Sequence, residues 1–218
     1  MKEINELVRK DFLLELRQRY AINGILLYVV STIFVVQLCI GRVIDENTWI
    51  ALFWIILLFA AFNAVSKSFV QESASRRLYY YMLAPAVSVV LSKMIYNSIL
   101  MLILGLLSLI VFIVFMGFPE FNLALFLPAF TLGCIGISGA LTMVSAIASR
   151  SGNNAALMAI LGFPVVVPLL LLLVNASRLS LKVMVPVSDI VKSISGLFLI
   201  DVVVIVLAVI LFPYLWRD

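Results

Sequence analysis

Ser66–Lys93 reads SKSFVQESASRRLYYYMLAPAVSVVLSK, and it decides the fold because it is the one long polar interruption in the first half of an otherwise apolar chain. Lys67, Glu72, Arg76, Arg77 and Lys93 charge it, Tyr79 to Tyr81 follow in a row, and Pro85 breaks one helix before the next begins. Glu72, then Arg76 and Arg77, then Leu78, Met82 and Leu83 are ordered as a short amphipathic helix lying across a membrane face. One side of such a helix is presented for docking a soluble partner. The rest of the chain reads as a way of holding this loop at a membrane surface.

Composition supports that placement. Hydrophobic residues make up 65% and charged residues 12%, and the mean hydropathy is +1.23, whereas soluble domains are about half apolar and about a quarter charged. The 218 residues have room for about six spans of roughly 20 residues each with short connections. The expected fold is therefore an all-α integral membrane domain covering 1–218. It has an N-terminal amphipathic interfacial helix over 1–20, spans at 21–40, 48–65, 87–116, 123–148, 154–174 and 196–214, and a short cytoplasmic coupling helix between spans two and three.

Upstream of the organising loop, Lys2 to Tyr20 carries acids and bases at helical spacing, with Glu6–Lys10 and Glu15–Arg19 as i,i+4 pairs. This helix is expected to lie in the interface, its apolar side in the acyl boundary. The first apolar run starts only after it and is longer than the roughly 7 to 15 residues of a signal h-region, so insertion by the first span itself is expected. Trp49 and Trp54 near the start of span two read as interfacial aromatics.

Downstream, the third apolar run is too long for a perpendicular crossing of a core about 30 Å thick. Its first turns, with Ser88, Ser92, Lys93 and Asn97, are expected at the cytoplasmic interface, Lys93 snorkelling to water. Eleven of the fifteen Lys and Arg residues fall on the side of the termini and the organising loop. Only Arg42, Arg178, Lys182 and Lys192 fall on the other. By the positive-inside rule both termini are cytoplasmic and Asn175–Ser195 faces the outer compartment. The net charge of +4 is spread over short loops and makes no nucleic-acid patch.

Several chemistries are excluded. The chain has no histidine, which removes the usual general base, the commonest zinc ligand and the most frequent haem ligand together. It has no Gly-x-x-x-x-Gly-Lys-Ser/Thr, so it cannot bind ATP through a phosphate loop of its own. Cys39 and Cys134 lie within apolar segments without metal or redox spacing and read as small apolar residues. No metal site is expected.

Three intramembrane features remain. Asp201 is the one acid well inside an apolar run, about a turn into span six from the outer side, where it reads as hydrogen-bonded to a neighbouring helix or to water, or as a substrate contact. Gly133, Gly136 and Gly139 in TLGCIGISGALT are spaced for close helix packing in span four. Gly162, Pro164 and Pro168 in LGFPVVVPLL remove backbone donors twice within span five, which should be kinked or broken.

An amphipathic N-terminal helix, six spans and a Glu-containing loop that ends in Leu-x-Pro and a Lys resemble an ABC type 2 permease. Within that group, YMLAPAVSVVLSK, the glycine-rich TLGCIGISGALT, the basic turn at Arg150 and Gly152, and FPVVVPLLL resemble the cytochrome c maturation permease family, haem exporter protein B or CcmB. The resemblance implies a permease subunit that acts in haem handling or export in the bacterial inner membrane and is not itself an enzyme. It implies ATP on a CcmA-like partner subunit, further CcmC-, CcmD- and CcmE-like partners, and haem as a possible substrate rather than a cofactor bound with any identified ligand. It also implies docking of the ATP-binding subunit by the coupling helix, with Glu72, Arg76, Arg77, Leu78, Met82 and Pro85 as the candidate contacts, and two copies of the chain as a homodimer. The alternative reading is an ABC type 2 permease exporting a lipid, drug or polysaccharide. An intramembrane enzyme would need facing acids or nucleophiles within the spans, and only Asp201 is available.

Overall fold

The computed structural model describes residues 2–17, 19–41, 44–66, 85–117, 122–149, 154–181 and 186–217. Every element among them is a helix: α1 Lys2–Arg17, α2 Arg19–Ile40, α3 Glu46–Val65, α4 Ala86–Met116, α5 Leu123–Ala148, α6 Asn154–Leu179 and α7 Val187–Arg217. Six of these, α2 to α7, are long and apolar enough to cross a membrane. In hydrocarbon only a helix satisfies its own backbone donors and acceptors, so long apolar runs become unbroken helices. The coupling segment, with Glu72, Arg76, Arg77, Leu78 and Met82, lies outside the described residues.

Helix starts follow local chemistry. Asp45 caps α3, its carboxylate accepting the Thr48 N–H at 3.1 Å, and Asn122 caps α5 by accepting the Ala124 N–H at 3.1 Å. Pro85 occupies the N-cap position of α4 with extended backbone, φ −61° and ψ 142°, the non-helical conformation usual at an N-cap, with φ fixed by its ring. Gly41 and Gly117 end α2 and α4 with φ of +85° and +81°, a region open to glycine and strained for other residues.

The bundle is organised around α5. It packs on α6, α7, α4 and α3, while α1 folds against the first turns of α4 and α2 lies outside α3 and α4. The ends are tied by polar contacts: the Asn122 N–H donates to the Ser180 carbonyl, joining the start of α5 to the end of α6, and Ser145 Oγ donates to the Val65 carbonyl at the other end.

Two expectations about helix position are corrected. The last helix begins at Val187 rather than Gly196, because the polar residues Ser188, Asp189, Lys192 and Ser195 continue the helix as its exposed first turns. The fifth span runs on past Val174 to Leu179. Trp49 and Trp54 are not at a lipid interface: both are buried, within an aromatic cluster with Phe53, Phe112, Phe126 and Phe130. They can be there because the Trp54 indole N–H donates to Ser177 Oγ at 2.9 Å and that of Trp49 to the Gly117 carbonyl at 3.2 Å.

Candidate functional site

The site is built on the small-residue face of α5. A Cβ on Gly133 would lie 2.6 Å from both Trp54 of α3 and Leu173 of α6, and one on Gly139 would meet Met94 of α4 and Val204 of α7. Gly136 sits between them and makes room for the Asp201 carboxyl of α7 and for Leu169 of α6. Successive glycines thus face different neighbours, which lets α5 serve as the central helix.

Asp201 is 5% exposed. It stands near the middle of the helix Val187–Arg217, between one and two turns beyond the exposed polar turns that end at Ser195. It belongs to the buried stripe Leu197, Asp201, Val204, Ala208 and Phe212, whose spacing follows the helical repeat facing α5. Neither carboxyl oxygen has a hydrogen-bond partner among the described residues, so of the roles read from the sequence a bond to a described helix is not made, and those of a water or substrate contact stand as expectations.

Between α4 and α5 the polar residues pair. The Asn97 side-chain amide donates to Thr142 Oγ1 at 2.8 Å, and Ser98 and Ser138 share a hydroxyl hydrogen bond at 2.8 Å. Asn97 is therefore inside the bundle and not at its surface. Composition alone did not single out Thr142 or Ser98, because Ser and Thr in apolar runs usually bond back to their own helix.

The start of α4 brings a further correction. Lys93 does not snorkel to water. Its Nζ lies 3.5 Å from Asp11 Oδ2 on α1, with the two side chains 6% and 7% exposed, and Lys10 reaches the other carboxylate oxygen at 3.1 Å. The ammonium is compensated in place because α1 folds back over the base of α4. Phe12 and Tyr96 close the contact edge to face, with centroids 5.1 Å apart. Asp11 was not picked out in the sequence, because the residues four away from it are Leu7 and Glu15 and the helical charge spacing gives it no partner.

Pro164 and Pro168 lie inside α6, which continues through both to Leu179. The span is not broken, and both prolines lie on its exposed face with Ile160, Phe163, Val167 and Leu171. On the inner side Gly162 allows a close approach of Phe62, 2.9 Å from where a Cβ would stand. At the end of the bundle away from α1, a cavity of about 640 Å³ opens between α3, α6 and α7, lined by Glu46, Asn175, Arg178, Asp189, Lys192 and Leu172. Among the described residues no group of three or more His, Cys, Asp or Glu side chains could hold a metal ion.

Chemically, this arrangement binds helices to one another and places one acid in their midst. No nucleophile with a general base is assembled by the described residues. The family model described as CcmB protein matches residues 2–214. No curated protein and no solved structure matches the chain.

Proposed function

The chain belongs to the CcmB family, and from this premise we propose that it is the permease subunit of an ABC transporter complex in haem handling for cytochrome c maturation. The observation that carries the reading is the match over residues 2–214, which takes in all six candidate spans. The protein is a multi-pass membrane protein, and the inner membrane is where the family places it. ATP hydrolysis then resides in a partner subunit, in keeping with the lack of a phosphate-binding loop in this sequence. Both termini, the α1–α4 junction and the loop over 67–84 face the cytoplasm in this reading, which puts the loop where a soluble ATP-binding subunit can reach it.

The junction explains how movement of that loop would reach the spans. The loop leads through Pro85 directly into α4, whose Lys93 is tied to α1 and whose Asn97 and Ser98 are tied to α5. A displacement of the loop is passed to the central helix within four turns. Haem enters as a substrate of the complex, and no residue of this chain is assigned to its iron.

Six spans make half of the usual membrane unit of such a transporter, so assembly with a second six-span unit belongs to the proposal, and a second copy of this chain is the simplest such unit. The least enclosed spans are α2, α7 and α6, with 17%, 22% and 28% of their most apolar stretches buried, and these offer the seam.

The test is co-expression with the ATP-binding subunit. Replacing Glu72 and Arg76 together by Ala should abolish stimulated ATPase activity and cytochrome c assembly while the chain still inserts. Unchanged partner binding and ATPase activity would refute the coupling assignment.

A further inference from the structure

Asp201 is unlike the other intramembrane polar groups. Asn97 pairs with Thr142 and Ser98 with Ser138, and Ser108 donates to its own helix at Leu104. Asp201 alone among the described spanning side chains has a carboxyl enclosed by protein with neither oxygen hydrogen-bonded.

Among the described residues the helices packed around Asp201 supply no counter-charge. Gly136 of α5 and Leu169 of α6 lie against the carboxyl. Along the whole of α5 the only ionisable side chain is Cys134, and along α6 it is Arg178, in the last turn. On α4 the ionisable groups are Lys93, engaged with Asp11, and Tyr96, both in its first turns. On α7 itself Asp189 and Lys192 stand near the start and Tyr214 and Arg217 at the end. Phe198, Leu199, Val202, Val203 and Ile205 turn outward around it, so α7 offers no aqueous route on its outer face.

An ionised carboxylate in such a place is costly even on the most lenient insertion scale, and a neutral carboxylic acid far less so. Gly136 is the residue that makes the buried position possible, since any Cβ there would collide with the carboxyl. Room for the acid is therefore part of the architecture of the α5–α7 contact.

We infer that Asp201 is a membrane-embedded proton-binding site: the carboxyl is held protonated while the α5–α7 seam is closed and releases its proton when the seam opens. On opening, the carboxyl O–H bond breaks, the electron pair stays on the carboxylate and the proton passes to water that enters the seam. Because the closed form binds the proton more tightly, acid favours closure and alkali favours opening. The inference rests on the geometry of the bundle and stands whether or not the chain is a permease for haem.

Two measurements on the purified full-length protein in lipid nanodiscs test it. Infrared spectra at neutral pH should show a protonated-carboxyl carbonyl band that moves in heavy water, is absent in Asp201→Asn and is shifted in Asp201→Glu. Absence of that band in the wild-type protein overturns the proposal, and this reading does not depend on whether Asp201→Asn folds.

The second measurement uses Ala208→Cys in a background of Cys39→Ser and Cys134→Ala. Ala208 is buried between α4, α5 and α7 on the same stripe as Asp201. Labelling by a water-soluble thiol reagent, divided by the rate in the same protein carrying Asp201→Asn, cancels the thiol's own pH dependence. The ratio should stay near unity below the carboxyl's value in the open form, rise by up to about tenfold per pH unit between that value and the higher one of the closed form, the limit for one linked proton, and level off above it. A ratio that does not change with pH overturns the link between the proton and the seam.

Discussion

At the scale of single residues, the glycines of α5 make the sharpest predictions, because each faces an identified side chain. Gly136→Ala should destabilise the fold by about 1–3 kcal/mol, the usual range for overpacking, since the added methyl meets Asp201 and Leu169. Gly24→Ala, with nothing within 4 Å of its Cβ, should be neutral or mildly stabilising. Thermal unfolding in one detergent decides it, and equal melting temperatures would show that α5 is not the close-packed centre. The Asp11–Lys93 pair makes a second prediction. Lys93→Met leaves a buried carboxylate whose remaining cation among the described residues is Lys10 and should cost about 3–5 kcal/mol, whereas Asp11→Leu with Lys93→Met should recover most of that loss. A double variant as unstable as the single one would mean that the two side chains do not act together. Asp45 supplies a pH dependence. Its hydrogen bonds to the Thr48 hydroxyl and N–H hold its carboxyl below the ordinary 3.8. The cap therefore supports α3 fully above that value and is lost as pH falls through the lowered one, so exchange of the Thr48 amide, corrected for intrinsic rate, should be less protected in strong acid.

At the scale of elements, sequence and structure agree where lipid imposes a length and part company where direction matters. The run from Ala21 to Ile40 could only be a helix of about that extent, and α2 ends at Ile40. Which side of each helix turns inward was not legible, because a span apolar all round has no polar face to orient it. That is why Trp49, Trp54 and Lys93 seemed suited to an interface and are found inside. Their partners, Gly117 at the end of α4, Ser177 on α6 and Asp11 on α1, belong to other parts of the chain, and nothing local announces them. The polar start of α7 read as a loop for a similar reason: charged residues at an aqueous helix end look the same in sequence as a connection. These helix ends also choose the place to test topology. Ser180 is buried and its carbonyl accepts the Asn122 N–H, so a cysteine there would report poorly. Ser188→Cys, exposed in the first turn of α7, should be labelled by an impermeant reagent from outside the cell. Labelling only after the inner face is opened would reverse the orientation.

At the scale of the whole molecule, the bundle has one densely packed helix at its centre and three open spans at its edge. A transporter subunit needs both, a rigid centre to carry motion and a free face on which to assemble. The coupling residues proposed around Glu72 lie outside the described residues, and their assignment rests on the charge pattern of the sequence and on the proposed ATP-binding partner. The central claim, that this is the membrane half of a machine whose ATPase is a separate subunit, is tested most directly by the native mass of its complex. The tagged chain would be extracted in mild detergent from cells carrying the whole cytochrome c maturation machinery. One copy of the chain with a different six-span subunit, together with the ATPase, would replace the homodimer and keep the permease reading. The account predicts a complex of two copies of the chain bound to ATP-binding subunits, and recovery of the chain with no ATP-binding subunit at all would contradict it.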